Sequence, residues 1–128
     1  MTGSTVRQLL LVILLLAPLA FPRPVDAQHS AGADMEIQYL LAFVAGSDCT
    51  FIRNGTAHKA AEAADHLRLK YGRGKRYVDT PEQFIDRLAS ASSWSGEPYS
   101  VECDGQAELA GEWLHQALVD YRNGSAKP

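Results

Sequence analysis

The stretch Cys49-Thr50-Phe51-Ile52-Arg53-Asn54-Gly55-Thr56-Ala57-His58-Lys59 places an Asn-Gly pair between two short runs, the first rich in β-formers. Asn-Gly in that setting is the strongest local hairpin signal. A type I′ turn needs positive φ at both central residues, which asparagine tolerates and glycine adopts freely. The stretch therefore predicts a tight antiparallel hairpin. A helix over 60–71 comes directly after it, with Ala60, Ala63, Ala64, Leu67 and Tyr71 on its inner face. Three alanines on that face predict close backbone packing. Gly72 and Gly74 are expected to end the helix.

Upstream of the hairpin, Ile37, Leu40, Leu41 and Val44 keep the i, i+3, i+4, i+7 spacing of a helix beginning at Asp34 and ended by Gly46. Tyr39 and Phe43 add a second apolar strip, so this helix is expected to be covered on more than one side. Gln28 to Ala33 is small and polar and reads as a flexible lead-in. Downstream, Thr80-Pro81-Glu82-Gln83 is a helix start. Thr80 caps, Pro81 takes the first helical position, and Gln83 completes a capping box. Phe84, Ile85, Leu88 and Ala89 form the apolar face, and a serine-rich loop comes next. Ser95-Gly96-Glu97-Pro98-Tyr99 reads as a turn entering an edge strand, because proline cannot donate to a central ladder. Tyr99 to Cys103 alternates like that strand, and Asp104-Gly105 turns the chain. Ala110, Trp113, Leu114, Ala117, Leu118 and Tyr121 make the stripe of a last helix, closed by Gly124. The class is α+β, a small antiparallel sheet (the hairpin plus one further strand) packed with about four helices. No internal repeat and no domain boundary emerges.

The chain has 128 residues, 46% hydrophobic and 21% charged, which favours one folded domain over disorder. Met1 to Ala27 reads as a secretory signal peptide. Arg7 supplies the basic start, Leu9 to Ala17 the apolar run, and Val25-Asp26-Ala27 the small-residue cleavage site. Even extended to Phe21 the run covers 13 residues and contains Pro18, short of the ~20 that a membrane span needs. No stable membrane span is expected in the mature form. Cleavage after Ala27 would leave 28–128 as a single domain, with ten basic and fourteen acidic residues and a net charge of −4 against −3 for the whole chain. Such a balance argues against nucleic acid as a partner. Both cysteines, Cys49 and Cys103, fall in the mature part. An even count in an exported chain predicts a disulfide between them. It would close a separation of 54 residues, which the chain-entropy model values at roughly 4 kcal/mol.

Phe51-Ile52-Arg53-Asn54-Gly55, His58, Glu62-Ala63 and His66-Leu67-Arg68-Leu69-Lys70 resemble the YfeK-like family of small exported bacterial proteins. The resemblance continues through Asp79-Thr80, Glu82-Gln83-Phe84-Ile85, Ala89-Ser90, Ser93 and Ser95-Gly96-Glu97-Pro98-Tyr99. It covers about half of the mature chain. It implies a periplasmic location and a domain of unknown function, with no activity and no catalytic residues to carry over.

The chain holds no G-x-S-x-G elbow, H-E-x-x-H, P-loop or S-x-x-K motif. His58 and His66 with Glu62 or Asp65 are a thin basis for zinc, and neither a metal nor a cofactor is implied. A hydrolytic triple would have to draw on Ser93 or Ser95 with His66 and Asp65, although neighbours on a helix point different ways. Arg68, Lys70, Arg73, Lys75 and Arg76 form a basic cluster whose simplest role is to complement the end of the helix dipole. Arg53, just before the turn, is expected to pair with a carboxylate across the sheet. The candidate ligand site is the junction of the second helix with the serine loop: His66, Arg68, Lys70, Ser92, Ser93, Ser95 and Tyr99. Cations beside hydroxyls suit a phosphate or carboxylate. The reading favours a non-enzymatic periplasmic binding or accessory module for an envelope component, a protein partner or a small anion. The alternative is a small hydrolase or transferase acting on cell-envelope material.

Overall fold

The Asn54-Gly55 pair forms the predicted turn. Asn54 takes φ 48° and Gly55 φ 75°, the left-handed pair that a type I′ hairpin requires. It joins β1 (Thr50–Arg53) to β2 (Thr56–Lys59), with Phe51 opposite His58. In the computed structural model, which describes residues 17–21 and 25–125, β2 runs without a linker into α2 (Ala60–Gly74). Gly72 lies inside that helix and does not end it. Glycine stops a helix when it turns left-handed, and neither Gly72 nor Gly74 has positive φ. A 3₁₀ turn over Lys75–Tyr77 comes next.

The first helix, α1 (Val25–Gly46), is longer than its spacing predicted. The expected lead-in at 28–33 is helical because Ala33 and Ile37, one turn apart, are both buried and extend the apolar stripe backwards. The expected leader, Met1–Ala27, lies mostly outside the described residues, and α1 spans its expected end. Tyr39 stacks on Tyr121 at 4.1 Å and Phe43 meets Trp113 at 4.6 Å. The second strip of α1 is thus covered, as predicted, and the element that covers it is α4 (Ala110–Arg122). Thr80 Oγ1 accepts from the N–H of Gln83 at 3.1 Å and caps α3 (Pro81–Phe84), which widens into a π turn over Ile85–Ala89. The Gln83 amide oxygen reaches back to the Asp79 N–H at 2.8 Å, one residue earlier than the standard box. Phe84 and Ile85 join Leu40, Leu41, Val44, Leu114 and Leu118 in the core. Among the described residues no helix is long and apolar enough to cross a membrane.

The sheet is larger than predicted. Asp104 (φ 52°) and Gly105 (φ 78°) form a second I′ turn, joining β3 (Ser100–Cys103) to an unforeseen β4 (Gln106–Leu109). All four β4 residues are exposed, so no inward and outward alternation marks the strand. The antiparallel order is β2-β1-β3-β4. β3 is therefore central, not an edge. Pro98 stands before the ladder, in an isolated bridge to Ala91, where its missing N–H costs no sheet bond.

β4 also uncovers an internal repeat that the sequence conceals. Strand, I′ turn, strand and helix recur at an offset of fifty residues: Thr50 to Ser100, Asn54 to Asp104, Ala60 to Ala110. Both helices start from an extended residue, Lys59 or Leu109, with no side-chain cap. Phe51 pairs with Val101 at the centre of the β1–β3 ladder, so a pseudo-two-fold axis passes between them. Identities across the repeat are confined to Gly55/Gly105, Ala57/Ala107, Ala60/Ala110, Glu62/Glu112, Tyr71/Tyr121 and Gly74/Gly124. That is too sparse to read as a duplication without the fold. At one end of the ladder the disulfide Cys49–Cys103 joins β3 to the residue before β1, with Cα atoms 4.7 Å apart.

Candidate functional site

The pseudo-symmetric counterpart of the disulfide is the other end of the same ladder. The register there, one step beyond Ile52 opposite Ser100, sets Arg53 beside Tyr99. Above them α2 contributes His66, Lys70 and Arg73, whose spacing places them along one side of the helix. The loop after the π turn contributes Ser92, Ser93 and Trp94. These residues, with Asn54, Gly74 and Leu88, line a cleft of about 490 Å³.

The loop is held by its own serines. Ser92 is buried, and its Oγ accepts from the N–H groups of Trp94 (3.3 Å) and Ser95 (3.2 Å). Asn54 at the hairpin tip donates from Nδ2 to Ser92 Oγ at 3.4 Å and accepts from Ser95 Oγ at 2.6 Å. The turn that places Arg53 is thereby latched to the loop that closes the cleft. Ser90 Oγ donates to the Ile85 carbonyl at 2.7 Å, fixing the exit of the π turn.

Lys70 and Tyr99 form the inner wall. Lys70 Nζ donates to the Ala91 carbonyl at 3.0 Å and to Tyr99 Oη at 3.1 Å, while His66 Nε2 stands 3.4 Å from the same hydroxyl. Burial pushes the Tyr99 phenol up, keeping it protonated. Burial, then Arg53, pushes the Lys70 ammonium down. Burial, then Arg53, Lys70 and His58, pushes the His66 imidazole below its ordinary 6.5. Every charged group that depresses His66 is a cation or another imidazole. Among the described residues no carboxylate lines the cleft.

Of the seven candidate residues, His66, Lys70, Ser92, Ser93 and Tyr99 line this cleft. Arg68 does not. It lies on another side of α2 and pairs with Asp65 at 2.9 Å. Ser95 braces Asn54 from outside the cleft lining. Sequence reasoning missed Arg53, Asn54, Arg73 and Trp94. The helical spacing of Arg73 from His66 and Lys70 was a usable signal. For Arg53 the signal was its period-two match with buried Phe51, which sends it inward. Among the described residues no carboxylate pairs with it across the sheet; its partner on β2 is Thr56.

The basic cluster divides accordingly. Lys75 pairs with Asp34 at 3.3 Å, and Arg76 lies over the Tyr77 ring. Arg53, Lys70 and Arg73 have no carboxylate within ion-pair distance among the described residues. His58 lies 3.7 Å from Glu62, and no group of three metal-ligating side chains occurs among the described residues. The hydrolytic triple is not assembled, since His66 faces Tyr99 and Asp65 is held by Arg68. His115 Nε2 lies 2.7 Å from Asp86 Oδ1.

These features define a small α+β protein with a cation-lined cleft at one end of its central ladder. Residues 31–122 match a family of unknown function (DUF5329), and the chain belongs to that family. It is 42% identical over 89 residues to the uncharacterized protein YfeK of Salmonella typhimurium, an alignment covering 69% of this chain and 74% of that protein. No solved structure matches.

Proposed function

We propose that the protein is an exported, periplasmic module that binds an anionic ligand, a phosphate- or carboxylate-bearing envelope component or small anion, in the cleft between α2 and the serine loop. One observation carries this reading. Arg53, Lys70 and Arg73 line a single cleft with no carboxylate in its lining among the described residues, in a chain whose net charge is −3. Unneutralised cations held together repel one another, and an anion relieves that repulsion while gaining charge-assisted hydrogen bonds. Export rests on the leader-like segment at 1–27, and a disulfide is compatible with it. The hydroxyl facing His66 is a phenol kept neutral by burial, a weak nucleophile, which supports binding over acyl or phosphoryl transfer. The test is calorimetric titration of the mature domain with inorganic phosphate at low salt. Binding should weaken roughly tenfold in Arg53→Ala and again in Arg73→Ala. Heat of dilution alone from the parent protein would remove the proposal.

A further inference from the structure

Beneath the cleft lies a second space. Arg53, His66 and Tyr99 line both, so they stand at the boundary between them. The lower space is a narrow slot of about 30 Å³, walled by apolar groups such as Phe51, Leu67, Ala89 and Leu114. A volume of that order admits one or two small groups. Arg53, His58, His66 and Tyr99 stand in its wall, but the surface it presents is almost wholly apolar and offers little to a water molecule, which needs two or more polar partners.

The repeat explains why the slot exists. Ala63 lines it, and the residue fifty positions on is Trp113. In the second half Trp113 occupies the equivalent place on the helix and packs against Phe43 at 4.6 Å and Phe51 at 5.5 Å. One half of the molecule is therefore plugged by an indole and sealed by the disulfide. The other carries a methyl group at the same helix position and leaves a small apolar void under three unneutralised cations. A void in a core is destabilising, and a ligand group that fills it recovers the lost contacts.

We propose that the ligand is an anion bearing a short apolar substituent of about one to three carbons, the anionic group lying on Arg53, Lys70 and Arg73 and the substituent entering the slot beside Ala63. The proposal rests on the anionic reading of the cleft and adds the size and polarity of the group attached to the charge. Titration with methyl, ethyl, propyl and hexyl phosphate separates the two claims, because the charge is constant along the series. Each carbon that enters the slot tightens binding about fourfold. The dissociation constant should fall from methyl to propyl phosphate and gain nothing further at hexyl. In Ala63→Trp, which installs the residue of the second half, the propyl-to-methyl ratio should collapse to about one; Ala63→Leu serves if the tryptophan variant does not fold. Equal affinities along the series in the parent protein, or a ratio retained in a folded slot-filling variant, would overturn the slot and leave the anion site standing. Absence of binding by every alkyl phosphate would overturn both.

Discussion

His66 shows how one side chain reports on the whole cleft. Burial and the surrounding Arg53, Lys70 and His58 hold its imidazole below 6.5. The unfolded chain therefore takes up this proton at a higher pH than the folded one. The stability tied to neutral His66 is intact above about pH 6.5 and is lost as the pH falls through the unfolded value towards the folded one. Urea midpoints measured between about pH 7.5 and about 5.5 should drop more steeply for the parent than for His66→Gln. Parallel profiles would show that the ring is solvated. A bound anion neutralises the same repulsion, so phosphate should raise the imidazole titration seen in ring proton shifts. Arg53 makes a second point at this scale. Its place next to a turn suggested a carboxylate partner across the sheet, yet alternation with Phe51 sends it to the inward face of the sheet. The residue beside it, Tyr99, lies 46 positions away in sequence. Local pattern gives the face; only the strand register gives the neighbour.

At the scale of elements, the first hairpin and the four helical stripes were legible because each carries a period or a turn signal in its own residues. The second hairpin was not. Asp104-Gly105 is as good a turn as Asn54-Gly55, but Gln106 to Leu109 is exposed throughout and has no buried face to declare it a strand. Since the two turns share their dihedral signs, Gly55→Val and Gly105→Val should each cost roughly 1–2 kcal/mol, read from the denaturation midpoint. A cost at Gly55 alone would mean that β4 adds nothing. The start of α4 is equally constrained. A Cβ on Gly111 would stand 2.5 Å from Ser90 Oγ, and that oxygen is committed to the Ile85 carbonyl. Gly111→Ala should therefore destabilise by about 1–3 kcal/mol despite the gain in helix propensity. Adding Ser90→Ala should restore part of that loss, and no loss in the single variant would show that α4 does not approach the π turn this closely.

Across the whole molecule, two ββα halves meet at Phe51 and Val101 and differ at their ends. One end of the central ladder is closed by Cys49–Cys103 and Trp113. The other opens into the cleft that Arg53 and Tyr99 line, with the slot beside Ala63 next to it. Composition and export signals pointed to a disulfide, and helix spacing brought His66 and Lys70 together. The repeat was out of reach, because its halves share few residues and its axis is a property of strand pairing. The division of labour has a consequence. Replacing both cysteines by alanine should cost roughly 4 kcal/mol of stability, while a still-folded variant binds phosphate as the parent does. A loss of binding without a loss of folding would join the two ends functionally. The central claim, that the cation-lined end is where a ligand sits, is met most directly by tracking backbone amide shifts of the isotope-labelled domain during a phosphate titration. Saturable shifts should concentrate at Arg53, Asn54, Lys70 and Ser92 to Trp94 and leave Cys49, Cys103 and Asp104-Gly105 unmoved. Shifts spread evenly over the surface, or centred on the disulfide end, would contradict it.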